Sequence, residues 1–131
     1  MVYHNFTQDE GTVDAPIGRD PGNRLRMAVV EKGGRHAVTH YRVLERFGGY
    51  TYIEARLETG RTHQIRVHMA HIKHPLVGDP LYGPKKQALG ASGQLLHAKI
   101  LGFQHPKTGE YMEFESPLPE DFQQILERLR Q

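Results

Sequence analysis

Residues 57–83 read Leu-Glu-Thr-Gly-Arg-Thr-His-Gln-Ile-Arg-Val-His-Met-Ala-His-Ile-Lys-His-Pro-Leu-Val-Gly-Asp-Pro-Leu-Tyr-Gly, and the change of period at their start decides the fold. Just upstream the period is two. Residues 37–47 and 50–58 are strand-like runs joined by Gly48-Gly49. Two glycines between such runs predict a hairpin with a type I′ turn, which needs positive φ at both central positions. In the second run Thr51, Ile53, Ala55 and Leu57 share one face, and Tyr52, Glu54, Arg56 and Glu58 the other. One face is therefore buried and one wet. Gly60 breaks the strand, and Thr62 is placed as the N-cap of a helix. From residue 62 to 74 the period is helical, with Ile65, Met69 and Ile72 at i, i+4 and i+7 as the core stripe. Arg66 lies beside that stripe, one turn in, and Pro75 ends the helix.

Working outward, residues 8–23 are rich in Gly, Pro and Asp, which is loop chemistry, with a short strand at 12–17. Residues 24–30 read as another short strand, and Gly33-Gly34 closes a turn. Beyond the helix come a turn-rich connector at 76–83 and a polar loop at 84–93. A second hairpin, 94–103 with 110–114, turns at Pro106-Lys107-Thr108-Gly109. Residues 119–130 form a terminal helix with Phe122, Ile125, Leu126 and Leu129 inward. Glu120 and Asp121 in its first turn and Arg128 and Arg130 in its last suit the helix dipole. The fold class is α+β, a mostly antiparallel sheet with a mid-chain helix and a C-terminal helix.

The length of 131 residues fits one domain or a large piece of one. The apolar fraction of 37% is below the roughly 45–50% usual for a globular domain. Without cysteine there is neither a disulfide framework nor a Cys-based zinc site. No apolar run approaches the ~18 residues of a membrane span, and the first residues lack the pattern of a signal peptide. The expectation is a soluble cytoplasmic protein. The net charge of +2 is unevenly distributed: residues 56–107 hold eight Lys/Arg against two acids, whereas residues 108–131 hold two against six. The basic middle is either a solvated face or an electrostatic footprint for a polyanion.

The strand-to-helix junction at 59–64 exposes helix N–H groups, which favour anions, and Arg61 there suits a phosphate. Arg66 is different. A charge at the edge of a core needs a partner, and its planar fork matches a carboxylate. The sequence leaves that partner open: an external acid or phosphate, or a salt bridge to Glu58 or Asp79. His68, His71 and His74 fall at i, i+3 and i+6, with His63 five before His68, and no His-Glu-x-x-His occurs. Helical zinc sites use i, i+4 histidines with an acid, so no metal is expected. A metal-dependent hydrolase is the weakest of three readings. Asp14, Asp20 and Asp79 sit in Pro/Gly turns, where the carboxylate bonds the local backbone.

The run Thr59-Gly60-Arg61-Thr62-His63-Gln64-Ile65-Arg66-Val67-His68 resembles the RluA-type branch of RNA pseudouridine synthases, in particular the large-subunit ribosomal D-type enzymes. The resemblance continues through His74-Pro75-Leu76-Val77-Gly78-Asp79-Pro80-Leu81-Tyr82-Gly83, Leu95-Leu96-His97-Ala98, Phe103-Gln104-His105-Pro106 and Ser116-Pro117-Leu118-Pro119. Upstream, Asp14-Ala15-Pro16-Ile17-Gly18-Arg19 and Ala37-Val38-Thr39-His40-Tyr41 also fit, so it covers essentially the whole chain. It implies isomerisation of uridine to pseudouridine in structured RNA, 23S rRNA in the D-type enzymes, with no cofactor and no metal. It implies a catalytic aspartate, a tyrosine packed on the target base, and an arginine paired with the aspartate. The Gln-Ile-Arg motif assigns that arginine to Arg66 and makes Arg61, His63 and Gln64 substrate-binding neighbours.

The family's aspartate lies in an Arg-Leu-Asp motif, which is absent here; Arg24-Leu25-Arg26 is the nearest sequence. Residues 1–131 are therefore expected to be the C-terminal portion of a pseudouridine synthase catalytic domain, carrying one of its three site residues and inactive alone. A sheet cut short exposes an edge, so self-association of the truncated chain is expected. The alternative is a non-catalytic RNA-binding module.

Overall fold

The computed structural model describes residues 1–23, 25–84, 93, 94, 96 and 118–130, together with the backbone of 100–104 and 111–115. The expected loop at 84–93 lies largely, and the turn at 106–109 wholly, outside these residues. The chain divides into two compact units, Met1–Leu95 and Leu96–Gln131.

In the first unit, β1 (Val2–Tyr3), β2 (Glu10–Asp14), β5 (Val38–Arg46) and β6 (Tyr50–Leu57) form an antiparallel sheet in the order β1-β6-β5-β2. A two-stranded sheet pairs β3 (Ile17–Arg19) with β4 (Met27–Val29). The single strand expected at 12–17 is thus two strands in different sheets. Pro16, which has no N–H to give a ladder, sits at the switch, and the Ala15 N–H already bonds the Ala37 carbonyl at 3.1 Å. The strand expected at 24–30 is confined to Met27–Val29.

The central hairpin forms as the alternation predicts, with two differences. Gly49 has φ +90° but Gly48 does not have positive φ, so the turn is not type I′. A register shift between Val43 and Glu45 leaves Leu44 unpaired against β6. Such a bulge turns the extra side chain out of the alternation, and Leu44 is exposed. The buried face holds Thr39 and Thr51; the wet face carries the cross-strand pairs Arg42–Glu54 and His40–Glu58.

Helix α1 (Gln64–His71) follows β6. It starts two residues later and ends three residues earlier than its apolar period suggests. His63, not Thr62, is the N-cap, in the left-handed region at φ 56°, with no side-chain cap. At the other end Lys73 is also left-handed, at φ 69°. Its N–H bonds the Ala70 carbonyl at 3.0 Å and the His74 N–H bonds the Met69 carbonyl at 2.8 Å. Those two bonds make a Schellman motif, which terminates the helix before Pro75 is reached. Met69 is fully buried as expected, but its buried companions are Gln64, Val67 and His68, while Ile65 and Ile72 are half-buried.

One core cluster joins Val2, Phe6, Val13, Ala15, Met69 and Leu76; a second joins Ile17, Ala37 and Val67, with Met27, Val29 and Tyr82 against it. In the second unit β7 (Ile100–Gln104) and β8 (Tyr111–Glu115) pair antiparallel. Helix α2 (Glu120–Arg130) there buries Phe122, Ile125 and Leu126. The class is α+β with antiparallel sheets and two helices, as read from the sequence. Among the described residues no helix is long and apolar enough to cross a membrane.

Candidate functional site

The junction between β6 and α1 is built around one buried amide. Gln64 Oε1 accepts from the Thr59 hydroxyl at 2.7 Å and from the Arg61 N–H at 3.0 Å. Its Nε2 donates to the Val38 carbonyl at 2.9 Å and to Thr39 Oγ1 at 3.0 Å. All four valences of the side chain are filled inside the chain, and Gln64 is 3% exposed. The amide thereby braces the strand–helix turn.

The network continues inward. Thr39 accepts from Gln64 and hence donates its hydroxyl proton to His68 Nδ1 at 2.7 Å, while His68 Nε2 donates to the Ala15 carbonyl at 2.9 Å. This is the pattern of a neutral imidazole. Burial lowers the pKa of His68, against the bond to Ala15, in agreement with that assignment. The histidines of the opening stretch do not converge. His63 faces Tyr82, and His74 bonds the Tyr3 carbonyl at 2.9 Å and stacks on Phe6. Among the described residues no group of three His, Cys, Asp or Glu side chains is arranged to hold a metal ion.

On the outer side of α1, Arg66 donates from Nε to Asp79 Oδ2 and from Nη2 to Asp79 Oδ1, both at 2.8 Å. The Asp79 side chain is 0% and that of Arg66 12% exposed. Asp79 Oδ1 also accepts the N–H groups of Leu81 at 3.0 Å and Tyr82 at 3.1 Å. This turn is why the acid sits where it does. Gly78 has φ +82°, and a side chain at Gly83 would meet the Asp79 carbonyl oxygen at 2.6 Å. Burial pushes the Asp79 carboxyl up, but the Arg66 bonds and the two N–H groups outweigh it and hold it below the usual carboxylate range. The same pairing raises Arg66. The ion pair is fixed in both charge and direction.

Tyr82 completes the cluster. Its ring lies under the guanidinium, 5.0 Å from carbon to centroid. Its hydroxyl accepts the Met27 N–H at 2.9 Å and is hydrogen-bonded to His63 Nδ1 at 2.8 Å. Burial, and then the Arg66 charge, lower the pKa of His63 against the opposing pull of Asp79, so this imidazole is neutral at pH 7. One edge of the Arg66 guanidinium, Nε with Nη2, is taken by Asp79 and one face by Tyr82. Nη1 makes no hydrogen bond among the described residues. It presents two N–H donors in a set direction, suited to an anionic oxygen. Arg61 is tied at Nε to the His36 carbonyl at 2.7 Å.

The sequence left Arg66 with three candidate partners, and the structure gives it Asp79. Glu58 instead meets His40 at 2.8 Å. Asp20 and Asp79 behave as turn carboxylates as read, with Asp20 accepting from the Gly22 N–H at 2.8 Å. Tyr82 was not picked out from the sequence: its hydroxyl partners lie 55 and 19 residues away.

The family model described as RNA pseudouridylate synthase matches residues 2–71, more than half of the chain and inclusive of Arg61, His63, Gln64 and Arg66. The chain belongs to this family. It is 57% identical over 130 residues to the uncharacterized RNA pseudouridine synthase YlyB of Bacillus subtilis, covering 99% of this chain and 42% of that protein. It is 53% identical over 139 residues to the ribosomal large subunit pseudouridine synthase D of Neisseria meningitidis, covering 98% and 37% respectively. Among solved structures, human RNA pseudouridylate synthase domain containing 1 matches with a TM-score of 0.75 at 26% identity, over 98% of this chain and 62% of that one. The chain thus spans about two-fifths of the length of the curated relatives it matches.

Proposed function

We propose that this chain is the C-terminal portion of the catalytic domain of an RNA pseudouridine synthase acting on 23S rRNA in the cytoplasm, without cofactor or metal. The reaction breaks the N1–C1′ bond of a uridine and forms a C5–C1′ bond; the proton leaves C5 and N1 gains one. The observation that carries the reading is the Arg66 fork, charged, oriented by Asp79 and Tyr82, with Nη1 unfilled. In this reading Nη1 receives the carboxylate of an aspartate supplied from outside residues 1–131, and Asp79 keeps the guanidinium charged and in plane while it does so. Arg61 holds a backbone phosphate, His63 borders the base site as a neutral imidazole, and Gln64 positions both from behind. The 131-residue chain has no Arg-Leu-Asp motif, so alone it is inactive.

A non-catalytic RNA-binding module is the second reading, favoured by the eight cations against two acids in residues 56–107. One experiment separates them: purified chain is incubated with 23S rRNA transcript, and binding and pseudouridine are both measured. The proposal expects salt-sensitive binding and no pseudouridine; turnover would refute the claim of inactivity, and absence of binding would count against both readings. Self-association is part of the same proposal, since Leu44 and Leu57 are 41% and 45% exposed on the central hairpin. A single monomer peak in gel filtration at all concentrations would remove it.

A further inference from the structure

The segment between β3 and β4 is short, tightly braced and oddly tipped. Asp20 accepts the Gly22 N–H at 2.8 Å and the Arg26 Nε–H at 2.8 Å, and its own N–H bonds the Arg26 carbonyl at 3.1 Å. Asn23 accepts the Leu25 N–H at its side chain, 3.0 Å, and the Arg26 N–H at its carbonyl, 3.2 Å. These bonds brace the described residues on both sides of the turn. Yet the residue these bonds present is Leu25, 82% exposed, about twice as exposed as any other large hydrophobic exposed among the described residues. Neither the loop nor the core uses that side chain. In sequence it lies between Arg24 and Arg26, and the Arg26 side chain is 42% exposed despite its bond to Asp20.

Its position relative to the candidate site is fixed. Met27, two residues on, gives its N–H to the Tyr82 hydroxyl, and Tyr82 carries Arg66 on its ring and His63 on its oxygen. Residue 25 lies in a turn and residue 26 in a bend, so Leu25 is no more than about 7 Å from Met27 and about 10 Å from the Tyr82 hydroxyl of the Arg66 cluster.

We propose that Leu25 is a wedge for structured RNA, inserted into the base stack beside the nucleotide brought to Arg66. This rests on the RNA-acting reading above. Chemistry on a base requires that nucleotide to leave its stack, which opens a gap between its neighbours. An apolar side chain fills such a gap, as leucine, isoleucine or phenylalanine wedges do between base steps in bent duplexes. A braced turn loses little conformational freedom on insertion, and Arg26, partly exposed next to Leu25, meets a flanking phosphate. A protein partner fits less well, because the centre of a protein interface is depleted of charge.

The test uses the 131-residue chain, its Leu25→Ala and Leu25→Phe variants, and 23S rRNA transcript. Binding is measured across a salt series, and a water-soluble carbodiimide that modifies unpaired uridines reports base extrusion. Leu25→Ala is expected to bind about tenfold more weakly at every salt, with an unchanged slope against salt, and to lose the carbodiimide-reactive uridine that the parent chain exposes. Leu25→Phe is expected to restore both. Far-UV circular dichroism and urea midpoints matching the parent confirm that the variants fold. Leu25→Ala binding within twofold of the parent, or an unchanged uridine pattern, would overturn the wedge while leaving the RNA-acting reading in place. Failure of the parent chain to bind RNA would overturn both. A Leu25→Ala defect on large ribosomal subunits but not on naked rRNA would assign Leu25 to a ribosomal protein and overturn the proposal.

Discussion

In the isolated 131-residue polypeptide the amino group of Met1 is buried, and burial pulls its pKa from 8.0 down to about 5. Met1 is held in the core: its carbonyl accepts the Val77 N–H at 2.9 Å, and Val2 pairs with Thr51 and bridges to Leu76. Between those two pKa values the unfolded chain binds a proton that the folded chain does not, so stability rises with pH across the window. The destabilisation is about 4 kcal/mol at pH 5, about 1 kcal/mol at pH 7 and close to nothing at pH 9. The perturbation that isolates it is N-terminal acetylation, which removes the titrating group. Any misfit of the added acetyl in the core shifts stability by the same amount at every pH. His63 and His68, whose pKa values are also lowered, titrate in both forms. Urea unfolding followed by circular dichroism from pH 5 to 9 on both forms should therefore give a difference that grows by about 3–4 kcal/mol as the pH falls. A difference that stays flat would refute the burial of this amine.

Further outcomes follow from the site. Asp79→Ala leaves the Arg66 charge largely desolvated and unpaired, and should cost about 3 kcal/mol in urea unfolding; a loss below about 0.5 kcal/mol would mean the pair is solvated. Gln64→Leu takes the acceptor from the Arg61 N–H and from the Thr59 hydroxyl proton, and should cost about 2 kcal/mol, with faster amide exchange at Arg61. Gly49→Ala forces a side chain into φ +90° and should cost about 1 kcal/mol, whereas Gly48→Ala should cost less.

The alternation around residues 37–58 made the central hairpin legible, because burial on one face imposes a period of two. The bulge at Leu44 was not legible, since it breaks that period without a Gly or Pro to mark it. The limits of α1 were misread for a related reason. Thr62 is an ordinary N-cap residue, but the Gln64 amide already saturates the turn, and Lys73 supplies a left-handed stop normally given to Gly. That Arg66 needs an acid follows from its place beside the core stripe. Which acid it meets depends on how the 76–83 turn packs on the helix, and Tyr82 joins the site through contacts to Met27 and His63 that no local pattern encodes.

Transplantation shows whether Arg66 is the arginine of a pseudouridine synthase site. The matching 130-residue segment of the Bacillus subtilis relative is replaced by this chain, and pseudouridine formation in 23S rRNA is measured for the hybrid and for its Arg66→Gln variant. The hybrid should isomerise uridine, and the variant should lose at least about 100-fold in kcat, with RNA affinity changed far less. An active hybrid whose Arg66→Gln variant keeps its rate would contradict it.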